Sequence, residues 1–131
     1  MYYLTTDAVI RLNKQLMIDT NEHFAVLFHG TLEGCVEKAK QVLYGVEIYQ
    51  DIYEKAAALL HCIIARSPFE NGNKRTGIAA ALTFLEMNGT AVLIDVEESK
   101  QLTLRIADSS VGISEIARWL RAHTKQPSYV A

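Results

Sequence analysis

Apolar positions recur at helical spacing through most of the chain. Val9, Ile10, Leu12, Leu16 and Met17 fall mostly on one face of a first helix, which Thr5 or Thr6 can cap with Asp7 in its first turn. Leu32, Cys35, Val36, Ala39, Val42 and Leu43 mark a second, capped by Thr31 after a break at Gly30. Ile52, Ala56, Leu59, Leu60, Ile63 and Ile64 mark a third. It is apolar around much of its circumference and should be central. Asp51 can cap it, with Glu54 completing a capping-box-like pair. Ile78, Ala81, Leu82 and Leu85 predict a second central helix, with Ala79 and Ala80 permitting close approach and Asn88-Gly89 ending it. Asp95 caps a helix through Val96, Leu102, Leu104 and Ile106. Gly112 to His123 carries a last one, with Trp119 read as core.

Three segments lack this period. Phe24 to Phe28 is a short apolar run, either a strand or a loop anchored by its two phenylalanines. Tyr44 to Asp51 alternates Val46 and Ile48 with Glu47 and Tyr49, as a short extended segment or flap would. Thr90 to Ile94 reads as a short strand or an extended link. The sum is a mainly helical single domain over residues 1–125, followed by a tail at 126–131.

Composition narrows the class. The 131 residues are 50% apolar and 21% charged, ordinary for one globular domain. A net charge of −2 disfavours non-specific nucleic-acid binding. No stretch is long and apolar enough to span a bilayer, and the first residues lack the regions of a signal peptide. The expectation is a cytoplasmic protein. Cys35 and Cys62 lie far apart without metal-ligand spacing and read as two buried thiols rather than a disulfide.

The candidate chemistry lies between the two central helices, in Arg66-Ser67-Pro68-Phe69-Glu70-Asn71-Gly72-Asn73-Lys74-Arg75-Thr76-Gly77. Pro68 stops one helix, and Lys74 and Arg75 open the next. A loop of Asn and Gly delivered to a helix N-terminus has free N–H groups, and the helix end carries about half a positive charge. Cations are unfavourable at that end unless an anion joins them, so the pattern points to a polyphosphate. Asn73 also suits an N-cap, Gly72 a positive φ, and Phe69 a core anchor.

Residues Ser67 to Arg75 resemble the signature of the Fic/Doc family, and more closely its death-on-curing (Doc) toxin branch: His-x-Phe-x-(Asp/Glu)-(Gly/Ala)-Asn-(Gly/Lys)-Arg. Glu54 to His61 and Thr76 to Gly89 resemble the helices that flank it, and Tyr3-Leu4-Thr5 suits the same branch. The resemblance implies a compact bundle of about six helices with the motif loop joining two central ones. It implies transfer of phosphate or AMP from ATP, with Mg²⁺, to a hydroxyl of a target protein such as a translation factor. A small antitoxin is the implied partner. Gly72, Asn73, Lys74 and Arg75 would hold phosphate, Arg75 would stabilise developing charge, and the Tyr44–Asp51 segment matches a flap over the target peptide.

Two positions depart from the signature. Ser67 stands where the family's general-base histidine belongs, and a serine hydroxyl is no base near neutral pH without an activator. Loss of a general base typically costs about 10²–10⁴-fold in rate. Asn71 stands where the metal-binding acid belongs; it can ligate Mg²⁺ weakly, and Glu70 is one residue away. Three readings stand: a diverged member that keeps the fold and ligand binding, a deliberate His-to-Ser change in a toxic protein, or relocated chemistry with His61 as base. The alternative to an impaired enzyme is a catalytically silent binding module.

Overall fold

In the computed structural model, which describes residues 1–124, six helices and one small hairpin surround a continuous apolar core. The order is α1 (Thr6–Asp19), α2 (His29–Lys38), β1 (Val42–Leu43), β2 (Val46–Glu47), α3 (Ile52–Arg66), α4 (Asn73–Met87), α5 (Val96–Ala107) and α6 (Ile113–Ala122). The expected mainly helical bundle is the fold observed. The expected tail at 126–131 lies outside the described residues.

Helix α3 is the axle. It packs along α4 and is covered by α6, α2 and α5, while α1 lies on α4. Its buried set runs from Lys55 through Ile64, so the helix is enclosed on most sides, as its apolar circumference predicts. Gly77 lets α4 close on α3. A Cβ built there would stand 3.0 Å from Leu60 Cδ1 and 3.3 Å from Ile64 Cγ1. Capping follows the sequence at three starts. Thr5 accepts from the Ala8 N–H, Asp51 from Glu54, and Asp95 forms a full capping box with Glu98. At Asp51 no reciprocal Glu54 bond forms; the second oxygen of Asp51 instead accepts from Arg121 at 2.6 Å.

Several local expectations are corrected. α2 begins at His29, before Gly30 and Thr31, and ends at Lys38. Val42 and Leu43 leave the helix and pair antiparallel with Val46 and Glu47 around a Tyr44–Gly45 turn, both at positive φ. The alternating run beyond Tyr44 is therefore half of a hairpin. Phe28 is 55% exposed and anchors nothing; Val26 forms the single bridge, to Phe69. Cys35 and Cys62 are buried as expected but joined as a disulfide, with Cα atoms 5.4 Å apart. Their separation of 27 residues hid this, because only the packing of α2 on α3 brings them face to face. Lys55 is fully buried: its ammonium donates to the Ala39 carbonyl at 2.9 Å and pairs with Glu47 on β2 at 3.2 Å. A single lysine thus pins the hairpin to the core.

Candidate functional site

The motif loop leaves α3 through a left-handed residue and enters α4 through another. Ser67 is the C-cap of α3 at φ 46°, and Gly72 is the N-cap of α4 at φ 76°. Gly72 needs that conformation, and a Cβ there would also press on Met17 Cε and lie 3.3 Å from Asn13 Nδ2. Between them Phe69 is buried, and the Asn73 side chain closes the loop over it. Asn73 Oδ1 accepts from the Phe69 N–H at 3.0 Å, and Asn73 Nδ2 donates to the Phe69 carbonyl at 2.9 Å. Asn73 is therefore the first helical residue and a loop staple, not the cap that its side chain suggests.

Two outside elements hold this loop. From the segment after α1, the N–H groups of Leu27 and Phe28 both donate to the Pro68 carbonyl, and Glu70 N–H donates to Ala25. From α1 itself, the fully buried Asn13 donates through Nδ2 to the Asn71 carbonyl and to Thr76 Oγ1, each at 2.9 Å. Its own Oδ1 has no partner among the described residues. Asn13 was missed in the sequence, although a signal was present. It sits at i+4 from Val9 and i−4 from Met17, a polar residue in the middle of a buried stripe.

The seven positions singled out by sequence meet in one cleft of about 560 Å³. Ser67, Glu70, Asn71, Gly72, Asn73, Lys74 and Arg75 line it, together with Ile64 and Ala65 of α3 and Ile106, Ala107 and Ser109 across from them. The Ser67 hydroxyl donates back to the Ile64 carbonyl at 3.3 Å and has no basic partner among the described residues. His61 is half-buried on α3 and does not line the cleft. Burial, helped by the charge of Lys38, pushes its imidazole below the ordinary range, toward the neutral form.

Two of the three charged residues that line the cleft are already engaged. Arg75 Nη2 donates to both carboxylate oxygens of Glu22, at 2.9 and 2.7 Å, and Nη1 donates to Thr20 Oγ1 at 3.3 Å. That hydrogen bond holds the Glu22 carboxyl below its usual range, so the pair is charged at neutral pH. The Glu70 carboxylate is hydrogen-bonded to His23 Nδ1, and Asn71 Nδ2 donates to the His23 carbonyl at 3.1 Å. Lys74 makes no ion pair among the described residues. Glu22 and His23 come from an aperiodic stretch, and nothing in the sequence placed them here.

The arrangement suits an oligophosphate: a helix N-terminus, one ammonium unpaired among the described residues, and a guanidinium held beside it by Glu22. It suits a protein-held Mg²⁺ poorly. The donor set is one amide and one carboxylate already bound to an imidazole, and the described residues contain no group of three metal-ligating side chains.

Comparison with known proteins agrees with the motif. The sequence profile of the Fic/DOC family matches residues 3–85. The chain is 36% identical over 91 residues to "Toxin Doc" of Mycolicibacterium smegmatis (strain ATCC 700084 / mc(2)155), covering 68% of this chain and 70% of that protein. It is 33% identical over 81 residues to "Protein kinase doc" of Escherichia phage P1, covering 62% of this chain and 64% of that protein.

Proposed function

This chain belongs to the Fic/DOC family, in its Doc toxin branch, and on that premise we propose that it is a Doc-like toxin impaired in group transfer. The family chemistry is transfer of phosphate or AMP from ATP to a hydroxyl of a target protein. The observation that carries the reading is the cleft itself. Every phosphate-holding position of the signature lines it, while the position of the base presents a hydroxyl turned back into α3.

Bound ATP would supply the phosphoryl group, with ADP leaving, or the adenylyl group, with pyrophosphate leaving. The chain's residues would bind and orient it. The N–H groups at the start of α4, Gly72 with its side-chain-free approach, Lys74 and Arg75 would face the phosphates, with Arg75 exchanging Glu22 for a phosphate oxygen. Asn73 holds the loop in shape. The attacking hydroxyl must lose a proton, and Ser67 Oγ, itself a donor, does not take one. The amide of Asn71 and the engaged Glu70 make a weak seat for Mg²⁺, so no step is assigned to the metal. A small antitoxin and a protein target such as a translation factor complete the reading, with the cytoplasm as its place. No helix among the described residues is long and apolar enough to cross a membrane.

A second reading is a silent binding module. The Arg75–Glu22 pair favours it, because the strongest cation of the cleft is satisfied without a ligand. Calorimetric titration with Mg²⁺-ATP, repeated on Arg75→Ala, tests the cradle. Binding that is lost with Arg75 supports it, and absence of binding by the parent chain removes the nucleotide reading. The double change Ser67→His with Asn71→Asp separates the two. Gain of transfer or growth toxicity marks an impaired enzyme; transfer by the parent chain would show that Ser67 is no loss.

A further inference from the structure

The Cys35–Cys62 bond lines a second cleft, which shares no lining residue with the cleft of the proposed transfer. This cleft, of about 420 Å³, runs between α2 and the C-terminal half of α3, and Lys38 and Arg66 line it together with the two cysteines. Neither cation has an ion-pair partner among the described residues. The acids of α2 do not neutralise them, because Glu33 pairs with His29 and Glu37 with Lys40. Gly30 and Gly34 of α2 also line the cleft, and a Cβ on either would meet nothing within 4 Å, so its α2 wall is uncrowded at these two positions. Both cysteines are buried, and of the two Cys62 as a residue keeps the little exposure there is, 8% against 0% for Cys35.

We infer that this disulfide is a thiol-exchange site for a carboxylate-bearing low-molecular-mass thiol, which enters between Lys38 and Arg66 and attacks Cys62 Sγ. The incoming thiolate forms a bond to Cys62 Sγ as the Cys62–Cys35 bond breaks, and Cys35 leaves as a thiolate that takes up a proton. A second thiolate then attacks the incoming sulfur of the mixed disulfide and releases Cys62. In total the protein disulfide gains two electrons and two protons, and two small thiols are oxidised to their own disulfide. The anionic thiol is preferred because two unpaired cations raise its local concentration.

The bond is placed to report on the motif loop. Ser67, the first motif residue, is the C-cap of α3, and Phe28, whose N–H donates to Pro68 of the motif, is the N-cap of α2. The disulfide therefore clamps together the two elements that hold the loop from either side. Opening it loosens the Leu27 and Phe28 contacts with Pro68.

The test uses the oxidised full chain with three probes compared per thiolate: glutathione, neutral mercaptoethanol and cationic cysteamine. Glutathione is expected to react fastest, with the mixed disulfide mapped by mass spectrometry to Cys62. The double variant Lys38→Glu/Arg66→Glu should lose about tenfold in glutathione rate and react faster with cysteamine. Hydrogen exchange of the Leu27 and Phe28 amides should accelerate on reduction, and equally in Cys35→Ser/Cys62→Ser without any thiol. Equal thiolate rates for the three probes, adduct on Cys35, or two free thiols in the untreated native chain would overturn the site. Unchanged exchange at Leu27 and Phe28 would overturn the link to the loop. None of these readouts depends on nucleotide binding or transfer.

Discussion

Asn13→Asp changes one NH2 group for an oxygen and leaves volume and shape intact. In the parent, that NH2 group donates at 2.9 Å both to the Asn71 carbonyl and to Thr76 Oγ1, in a side chain with no solvent exposure. An ionised carboxylate would be fully buried and would face the Asn71 carbonyl oxygen at hydrogen-bond distance, so the variant should bury the neutral acid instead. Keeping a carboxyl protonated at pH 7 costs about 1.4 kcal/mol for each pH unit above its ordinary value, roughly 4 kcal/mol in all. The acid has one O–H where the amide had two N–H groups, and the missing bond adds about 1 kcal/mol. The total of about 5 kcal/mol rivals the whole stability of many small domains. The carboxyl's folded-state pKa is raised above its unfolded value, so the folded variant binds the extra proton. The penalty is therefore largest at neutral pH and shrinks as pH falls toward the unfolded value. Urea unfolding of parent and variant should show their difference narrowing by about 2.7 kcal/mol between pH 7 and pH 5. A difference below about 1 kcal/mol at pH 7, or one that does not change with pH, would show that Asn13 does not bear the motif loop.

Other perturbations probe the same architecture. Glu22→Gln releases the Arg75 guanidinium and should tighten binding of pyrophosphate or Mg²⁺-ATP in calorimetry; equal affinity would mean that the pair does not compete with ligand. The Glu22 carboxyl lies below its ordinary 4.5, so the pair's contribution is complete above that pH and is lost as pH falls through the lowered value. Anion affinity of the parent should accordingly rise on acidification below about pH 4.5, and that of Glu22→Gln should not. Lys55→Ala removes a buried stem and should cost about 2–5 kcal/mol in thermal unfolding, whereas Lys55→Met keeps most of the packing and should cost clearly less. Equal losses would assign the role of Lys55 to its charge alone. Gly72→Ala should cost about 1–2 kcal/mol in denaturant unfolding from its left-handed backbone, with Met17 yielding to the new methyl; no loss would show that the loop can re-enter α4 by another path.

Much of the bundle was legible because helices announce themselves locally. The caps at Thr5, Asp51 and Asp95 and the all-round apolar surface of α3 are short-range properties, carried by residues within a turn or two of one another. Errors gathered where local signals compete or vanish. Val42 and Leu43 fit a helical stripe, yet Gly45 and its turn capture them into a hairpin. Phe28 looked like an anchor because it is large and apolar, but exposure is decided by what packs above a residue. The motif residues themselves were readable as a set, since a contiguous loop between two helices must share one cleft.

The sequence by itself determined most of the helices, their central pair, the family resemblance and the motif residues that line the cleft. Only the tertiary structure decided what those residues are bound to. Glu22 on Arg75, His23 on Glu70, Asn13 beneath Asn71 and Cys35 on Cys62 are all pairs between distant segments. A local pattern encodes which face of an element is apolar. It does not encode which polar atom of another element will meet it, because that is set by how the helices pack and by the need of each buried donor and acceptor for a partner.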